Sequence, residues 1–540
     1  AVVSAFLSNF SISMSQTAME FSERETRAHV PVRLSSGRLA VLITVFVLWH
    51  TAGCGKPAAK PTTPPEGSRS AVAAVDPHFE AQVQAFCGDC HVMPKAETFP
   101  RDAWRDEVKR GFDFYVQSRR TDLHPPVQSE VIRYFRDQAP ESLIYVPPRL
   151  EEKPPRFSKR LRAKNSGSFT AAPRTSFVLQ YSGSDKPAWF ASDMENGSIA
   201  LLNADNRTSW STTTACINPA AVRVCDLDKD GKQALLCTDL GSFLPEDHDR
   251  GKLVLLRSFL SSSEEPIVLL KDVGRIADVQ VGDIDADGDD DLVVAEFGWH
   301  ETGGVHLLRN SGQSSDGQPV FEVQELDDRP GAIHVLITDV NDDQRQDVVA
   351  LISQEHEQIV AYLNEGSTFA KQVLYLAPDP SWGSSGISLV DLDQDGDEDI
   401  LYTNGDTFDS HIVKPYHGIT WLEKRANLQF VPHRLADMPG VHRALAADLD
   451  QDGDLDIAAV ALLPDHILKD IDAENFLSAL WLEQTSAGKF TGHAIERGSP
   501  FHAAMTLSDV DQDGDIDIVA GNLVNDPEAA PLTFFMNAGN

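Results

Sequence analysis

Six Asp-rich strings recur from residue 226 onward and limit what this chain can fold into more than any other feature. They start at Asp226, Asp283, Asp339, Asp391, Asp448 and Asp509 and read DLDKDGKQA, DIDADGDDD, DVNDDQRQD, DLDQDGDED, DLDQDGDLD and DVDQDGDID, with successive starts 52 to 61 residues apart. Oxygen-bearing side chains occupy positions 1, 3 and 5 of each string. Gly stands at position 6 in all but one, and Asp closes position 9 in all but the first. Carboxylates crowded in this way repel one another unless a hard cation sits between them. A tight turn lets alternate side chains, with a carbonyl at position 7, converge on such an ion at about 2.4 Å.

The expected ligands are Asp283, Asp285, Asp287 and Asp291; Asp339, Asn341, Asp343 and Asp347; Asp391, Asp393, Asp395 and Asp399; Asp448, Asp450, Asp452 and Asp456; and Asp509, Asp511, Asp513 and Asp517. Together they predict about five bound Ca2+ ions. The loop at Asp339 has Gln344 in place of Gly, and the loop at Asp226 has Ala234 in place of the closing Asp, so the latter is expected to be weak or empty. These are not EF-hands. The Glu needed at position 12 is replaced by Val294, Ala350, Tyr402, Ala459 and Ala520. The segments that follow, LVVAEF, VVALIS, ILYTNG, IAAVAL and IVAGNL, read as strands.

Each loop therefore joins two strands. A third strand recurs seven times, from GSIALLN at Gly197 to PLTFFMN at Pro531, and a fourth is legible in FEVQELD, FAKQVLY, FVPHRLA and FTGHAIE. Four short antiparallel strands per period of about 50 residues describe propeller blades. Seven third strands predict a mainly β fold with seven blades over 148–540, the first blade (about 155 to 203) lacking the metal loop. The segment RFSKRLR at Arg156 is expected to complete the last blade, which would leave no open sheet edge. The Asp-rich hairpins resemble the FG-GAP or VCBS-type repeats of integrin-like propellers over about 155–540, a likeness that implies fold and calcium binding and says little about activity.

Ahead of the repeats lies a different pattern. Asp76-Pro77 opens a predicted helix that delivers Cys87-Gly88-Asp89-Cys90-His91, a CxxCH string in a chain with 6 Cys. Two thiols at this spacing can each bond one vinyl group of a haem, and the following His then lies under the iron. The alternatives are a structural disulfide or a thioredoxin-like pair, the latter expecting a βαβ context that is absent. Two more helices are predicted, over about Arg101 to Gln117 and Val127 to Gln138. The segment 77–147 thus resembles a minimal class I cytochrome c domain, a small all-α unit with covalently bound haem c. That family places a Met-Pro loop before the final helix; here His124 stands at that place, which implies His124 as sixth ligand, against an open iron.

From Arg33 and Arg38 the sequence runs into LAVLITVFVLW and then Thr51-Ala52-Gly53-Cys54. A basic start, a short apolar run and small residues describe an export signal, because a spanning helix needs about 20 apolar residues. The ending resembles a bacterial lipobox, with Thr51 where that pattern has Leu. This implies lipidation of Cys54 and membrane attachment by a lipid anchor only; the alternative is an ordinary secretory signal. The expected organisation is an export signal with an N-terminal extension over 1–53, a Pro-rich disordered linker over 54–76, the helical domain and the propeller.

A net charge of -36 excludes nucleic acid as a partner, since phosphates repel an unneutralised acidic surface. The loops on the face opposite the metal loops carry His248, His300, His356, His411, His417 and His466, and His334 and His442 should point the same way. Cys225 and Cys237 are the most plausible disulfide. The leading expectation is extracytoplasmic electron transfer, with the propeller face presented to a redox partner protein or small-molecule substrate. Two alternatives stand beside it: a haem-linked oxidoreductase acting on the His-rich face, and an adhesion or glycan-binding module. No nucleotide loop or nucleophile motif is legible, so no catalytic residue is assigned.

Overall fold

The apolar segment after each Asp-rich loop becomes the second strand of a four-stranded antiparallel sheet, and in all seven sheets this strand is buried along its whole length. It is covered on both faces by the sheets beside it, which is why it reads as a continuous apolar run. The outer strands, such as Pro319–Asp327, instead alternate buried and exposed positions. The computed structural model describes residues 76–540 except 149, 151–155, 161–170, 213–214, 258, 260–264, 316, 409, 411 and 540. Cys54, the export signal, His411 and nearly all of the linker lie outside the described residues.

The seven sheets form a ring. Their first strands, Thr175–Gln180, Pro219–Cys225, Ile276–Gly282, Ala332–Thr338, Ser384–Val390, Val441–Ala447 and His502–Ser508, neighbour one another around a common axis, the last meeting the first. Blade 1 is built from 175–212, later than expected. It has its own outer strand, Thr208–Thr212, which its sequence does not announce. Phe157–Arg160 pairs antiparallel with Leu532–Asn537 as the outer strand of blade 7, so a segment from before blade 1 completes the last sheet.

Amides at the ends of the third strands tie blades 4, 6 and 7 to the one before. Asn364 Nδ2 donates to Ile284 O at 2.8 Å, and Asn537 Nδ2 to Leu449 O at 2.7 Å. Three helices precede the ring: α1 (Pro77–Cys87), α2 (Trp104–Gln117) and α3 (Gln128–Gln138). Their apolar positions recur at helical spacing, so Val83, Trp104, Val108, Val131 and Phe135 meet in one small core, where Trp104 stacks on Phe135 at 4.1 Å. Helices and ring belong to one compact unit, Pro77–Asn540.

The closing strand can be tested through Phe157, which is buried edge-on against Trp481 with ring centroids 6.0 Å apart. Phe157→Ala is expected to cost about 3 kcal/mol in urea unfolding, the low end for truncating a buried aromatic.

Candidate functional site

Two sets of residues can hold a ligand, and they lie on opposite faces of the ring. The Asp-rich loops join first to second strands. In five of the six the position-6 N–H is donated by Gly to the position-1 carboxylate, as in Gly288 to Asp283 at 3.0 Å and Gly396 to Asp391 at 3.0 Å; Gln344 does the same for Asp339 at 2.7 Å. These bonds curl the loop inward. Three carboxylates then converge within 4.8 Å at Asp283, Asp285 and Asp291; at Asp391, Asp393 and Asp395; at Asp448, Asp450 and Asp452; and at Asp509, Asp511 and Asp517. The Asp226, Asp228 and Asp230 set converges equally. Cations of the chain approach three of these sets: Lys232 reaches Asp230 at 2.6 Å and Arg257 reaches Asp228 at 3.6 Å, Arg309 reaches Asp285 at 3.2 Å, and Arg160 reaches Asp511 at 4.0 Å. In the Asp339 loop Asp343 pairs with Arg345 and accepts Asn341 Nδ2 at 3.0 Å.

The closing Asp does work that its sequence position does not disclose. Asp291, Asp347, Asp399, Asp456 and Asp517 are at most 1% exposed. Asp517 accepts N–H groups from Val510 in its own loop and from Asn537 in the third strand, at 2.8 and 2.7 Å, and Asp291 and Asp347 repeat the pattern. Asp399 adds Trp421 Nε1 at 2.8 Å. This carboxylate is thus a clamp between loop and sheet as well as a candidate ligand. Burial first, and then crowding by neighbouring carboxylates, push Asp456 up to about 7 and Asp517 up to about 6.

On the opposite face the helices are latched to the ring. Asp379, in the connection from blade 4 to blade 5, accepts the Lys95 N–H at 2.7 Å and the Thr98 hydroxyl at 3.3 Å. Tyr416 donates its hydroxyl to Thr98 O at 3.3 Å, and the Lys414 ammonium lies 5.8 Å from the centroid of the Phe99 ring. Between helices and ring opens a cavity of about 720 Å³. Phe86, Trp104 and Phe112 give it an apolar wall, while Glu357, Asp406 and Lys414 contribute polar groups from the ring. Burial pushes Glu357 up to about 8, against the lowering effect of two hydrogen bonds from Ser384 and of Lys414.

Cys87, Cys90 and His91 all line this cavity. Burial pushes the Cys87 thiol up to about 11. Arg120 donates to Cys90 Sγ at 3.1 Å. His91 Nδ1 lies 2.8 Å from Val92 O. A carbonyl only accepts, so the proton is on Nδ1 and the lone pair of Nε2 stays available. His124 is exposed, and its neighbour Leu123 takes the cavity wall.

The other histidines do not form one surface. His300 lines the cavity; His248 Nε2 sits 2.9 Å from Ser242 Oγ within its own loop; and His417 and His442 are buried. His334 joins a relay near the ring axis, with Nε2 3.1 Å from Arg443 Nη1, Nδ1 3.3 Å from Asp278 Oδ2, and Arg223 donating to Asp278 Oδ1 at 2.7 Å. The expected Cys225 to Cys237 disulfide is not formed. The register sets Cys225 opposite Ala234 and Cys237 opposite Val222, which turns the two thiols into different hydrophobic clusters, and Cys237 contacts Cys216 instead.

The latch makes a direct prediction. Asp379→Ala leaves the Lys95 N–H and the Thr98 hydroxyl without this acceptor, which should cost about 1–3 kcal/mol of docking. Hydrogen exchange at Lys95 should accelerate while amides of the inner strands keep their protection.

A family model described as FG-GAP-like repeat matches residues 339–402, from the metal loop of blade 4 to the second strand of blade 5. No curated protein matches the chain. Among solved structures, BBS1N in its complex with ARL6DN is similar at 10% identity and a TM-score of 0.43, over 71% of this chain and 97% of that one. Virginiamycin B lyase from Staphylococcus aureus is similar at 11% identity and a TM-score of 0.41, over 70% of this chain and 99% of that one. The V. cholerae biofilm matrix protein Bap1 is similar at 10% identity and a TM-score of 0.38, over 71% and 91%. The family match and the seven four-stranded sheets make this chain a seven-bladed β-propeller with FG-GAP-like repeats.

Proposed function

We propose that this chain is an exported electron-transfer protein that holds one haem c covalently in the cavity between its helices and its propeller. One observation carries the reading. Cys87, Cys90 and His91 share a wall of a 720 Å³ cavity, and His91 keeps a lone pair directed away from its backbone bond. The volume falls within the roughly 300–1,000 Å³ typical of cofactor sites. A haem bound there would supply reversible one-electron chemistry at its iron. The chain's own residues have three tasks. The thiols of Cys87 and Cys90 would hold the group covalently. The Val92 carbonyl orients the His91 ring and raises the basicity of its ligating nitrogen. Phe86, Trp104 and Phe112, on the cavity wall, would keep water from a bound group.

Export fits this chemistry, because covalent haem attachment is completed outside the cytoplasm and the sequence ahead of Cys54 has the form of an export signal with a lipid attachment site. No helix among the described residues is long and apolar enough to cross a membrane. The net charge of -36 favours a redox partner with a basic docking patch, whose association rate would fall as salt rises. In this reading the converged Asp loops bind calcium and stiffen the face of the ring away from the haem.

Two measurements test the proposal. Made alongside cytochrome maturation machinery, the protein should give the pyridine haemochrome spectrum of one covalently held haem per chain. Cys87→Ala/Cys90→Ala should lose it while keeping the β-sheet circular dichroism of the propeller; wild-type protein without covalent haem under those conditions would reject the reading. Chelation of calcium should lower the thermal midpoint of the ring. Asp448→Asn should weaken one site, removing up to about 2.7 kcal/mol when free calcium is 100 times its dissociation constant.

A further inference from the structure

Two histidines line the cavity: His91, just after α1, and His300, in the loop between the second and third strands of blade 3. Among the described residues no methionine lines it. His300 stands on a fixed turn. Asp247, from the neighbouring blade, accepts the backbone N–H groups of His300, Glu301 and Thr302 at 3.0, 2.8 and 3.0 Å and the Thr302 hydroxyl at 3.0 Å. The imidazole packs at a tilt against two rings, with centroids 4.8 Å from Phe114 of α2 and 4.3 Å from Trp299. Its two nitrogens make no hydrogen bond among the described residues. A pre-positioned imidazole whose nitrogens make no hydrogen bond among the described residues, on the wall of a cavity that also carries CxxCH, has the chemistry of an axial ligand.

We propose that His300 of the propeller is the second axial ligand of the haem, so that the iron is shared between the helical unit, through His91, and the ring. This rests on the haem reading above. Two other histidines compete for the role. His124 and His300 are both exposed, but His300 lines the cavity, whereas at 123–124 only Leu123 does. His356 lies close enough to His91 to be affected by its charge, yet it is absent from the cavity wall. Ligation by His300 makes the group a covalent and coordinate staple between two folded parts.

The test uses full-length protein carrying its haem. Ferric wild type should be low-spin by absorbance and electron paramagnetic resonance. His300→Ala should keep one covalent haem by pyridine haemochrome but turn high-spin, and added imidazole should restore the low-spin spectrum. His124→Ala and His356→Ala should stay low-spin. His300→Met, which offers a thioether of similar reach, should raise the midpoint potential and serves as the readout if the alanine variant folds poorly. Wild type with no covalent haem would sink both this proposal and the function beneath it. A covalent haem that stays low-spin in His300→Ala, with an unchanged potential in His300→Met, would overturn the ligand assignment alone, as would a wild type that is already high-spin.

Discussion

Five of the seven inner hairpins of the ring depend on a carboxylate placed where charge is most expensive to bury. The closing Asp of five blades is shut away from solvent and accepts N–H groups from a loop, a third strand, or both. Desolvation opposes its charge, and the N–H donors offset that cost in a geometry only this hairpin supplies. The same loop crowds further carboxylates within 4.8 Å of one another. The hairpin is therefore specified twice over: the clamp fixes where the turn meets the sheet, and the repulsion inside the turn asks for a cation. Blade 2 differs at the clamp: its position 9 is Ala234, while Asp226, Asp228 and Asp230 still converge.

Four antiparallel strands per blade separate these demands from any other the molecule must meet. First-to-second connections lie on one face; second-to-third and blade-to-blade connections lie on the other. The metal loops are short and uniform. The opposite loops vary in length and content, and they carry Asp379, Tyr416, Lys414 and His300, which meet the helices. The buried second strands give a rigid frame between the two, so residues far apart in sequence, such as Lys95 and Asp379, are held at hydrogen-bonding distance.

Much of this was readable in the sequence, because it rests on local periodicity. The Asp-rich strings, the apolar runs behind them and the third-strand copies announced seven blades, and Arg156 onward was recognisable as the missing outer strand. The α1, α2 and α3 spans followed from apolar spacing. What escaped depends on register and on contacts between distant loops. Asp517 and its counterparts were legible as ligands but not as backbone clamps, since Asn537 and Val510 are brought to them only by the folded sheet. Cys225 and Cys237 seemed ready to pair until the register turned them apart. The histidines looked like one lined face, whereas the fold sends His334 to the axis, buries His417 and His442, and leaves His300 to the cavity. No short motif encodes a wall whose two halves lie some two hundred residues apart.

The pairing of Phe157–Arg160 with Leu532–Asn537 sets an order of events. The ring cannot shut until its final strand has been synthesised, whereas α1, α2 and α3 and the CxxCH segment emerge long before. During synthesis the helices would therefore be accessible from every side while the blades are still accumulating. The blade 3 and blade 5 loops reach them only later. Closure of the last sheet is thus a late event that fixes the helices' neighbours in place.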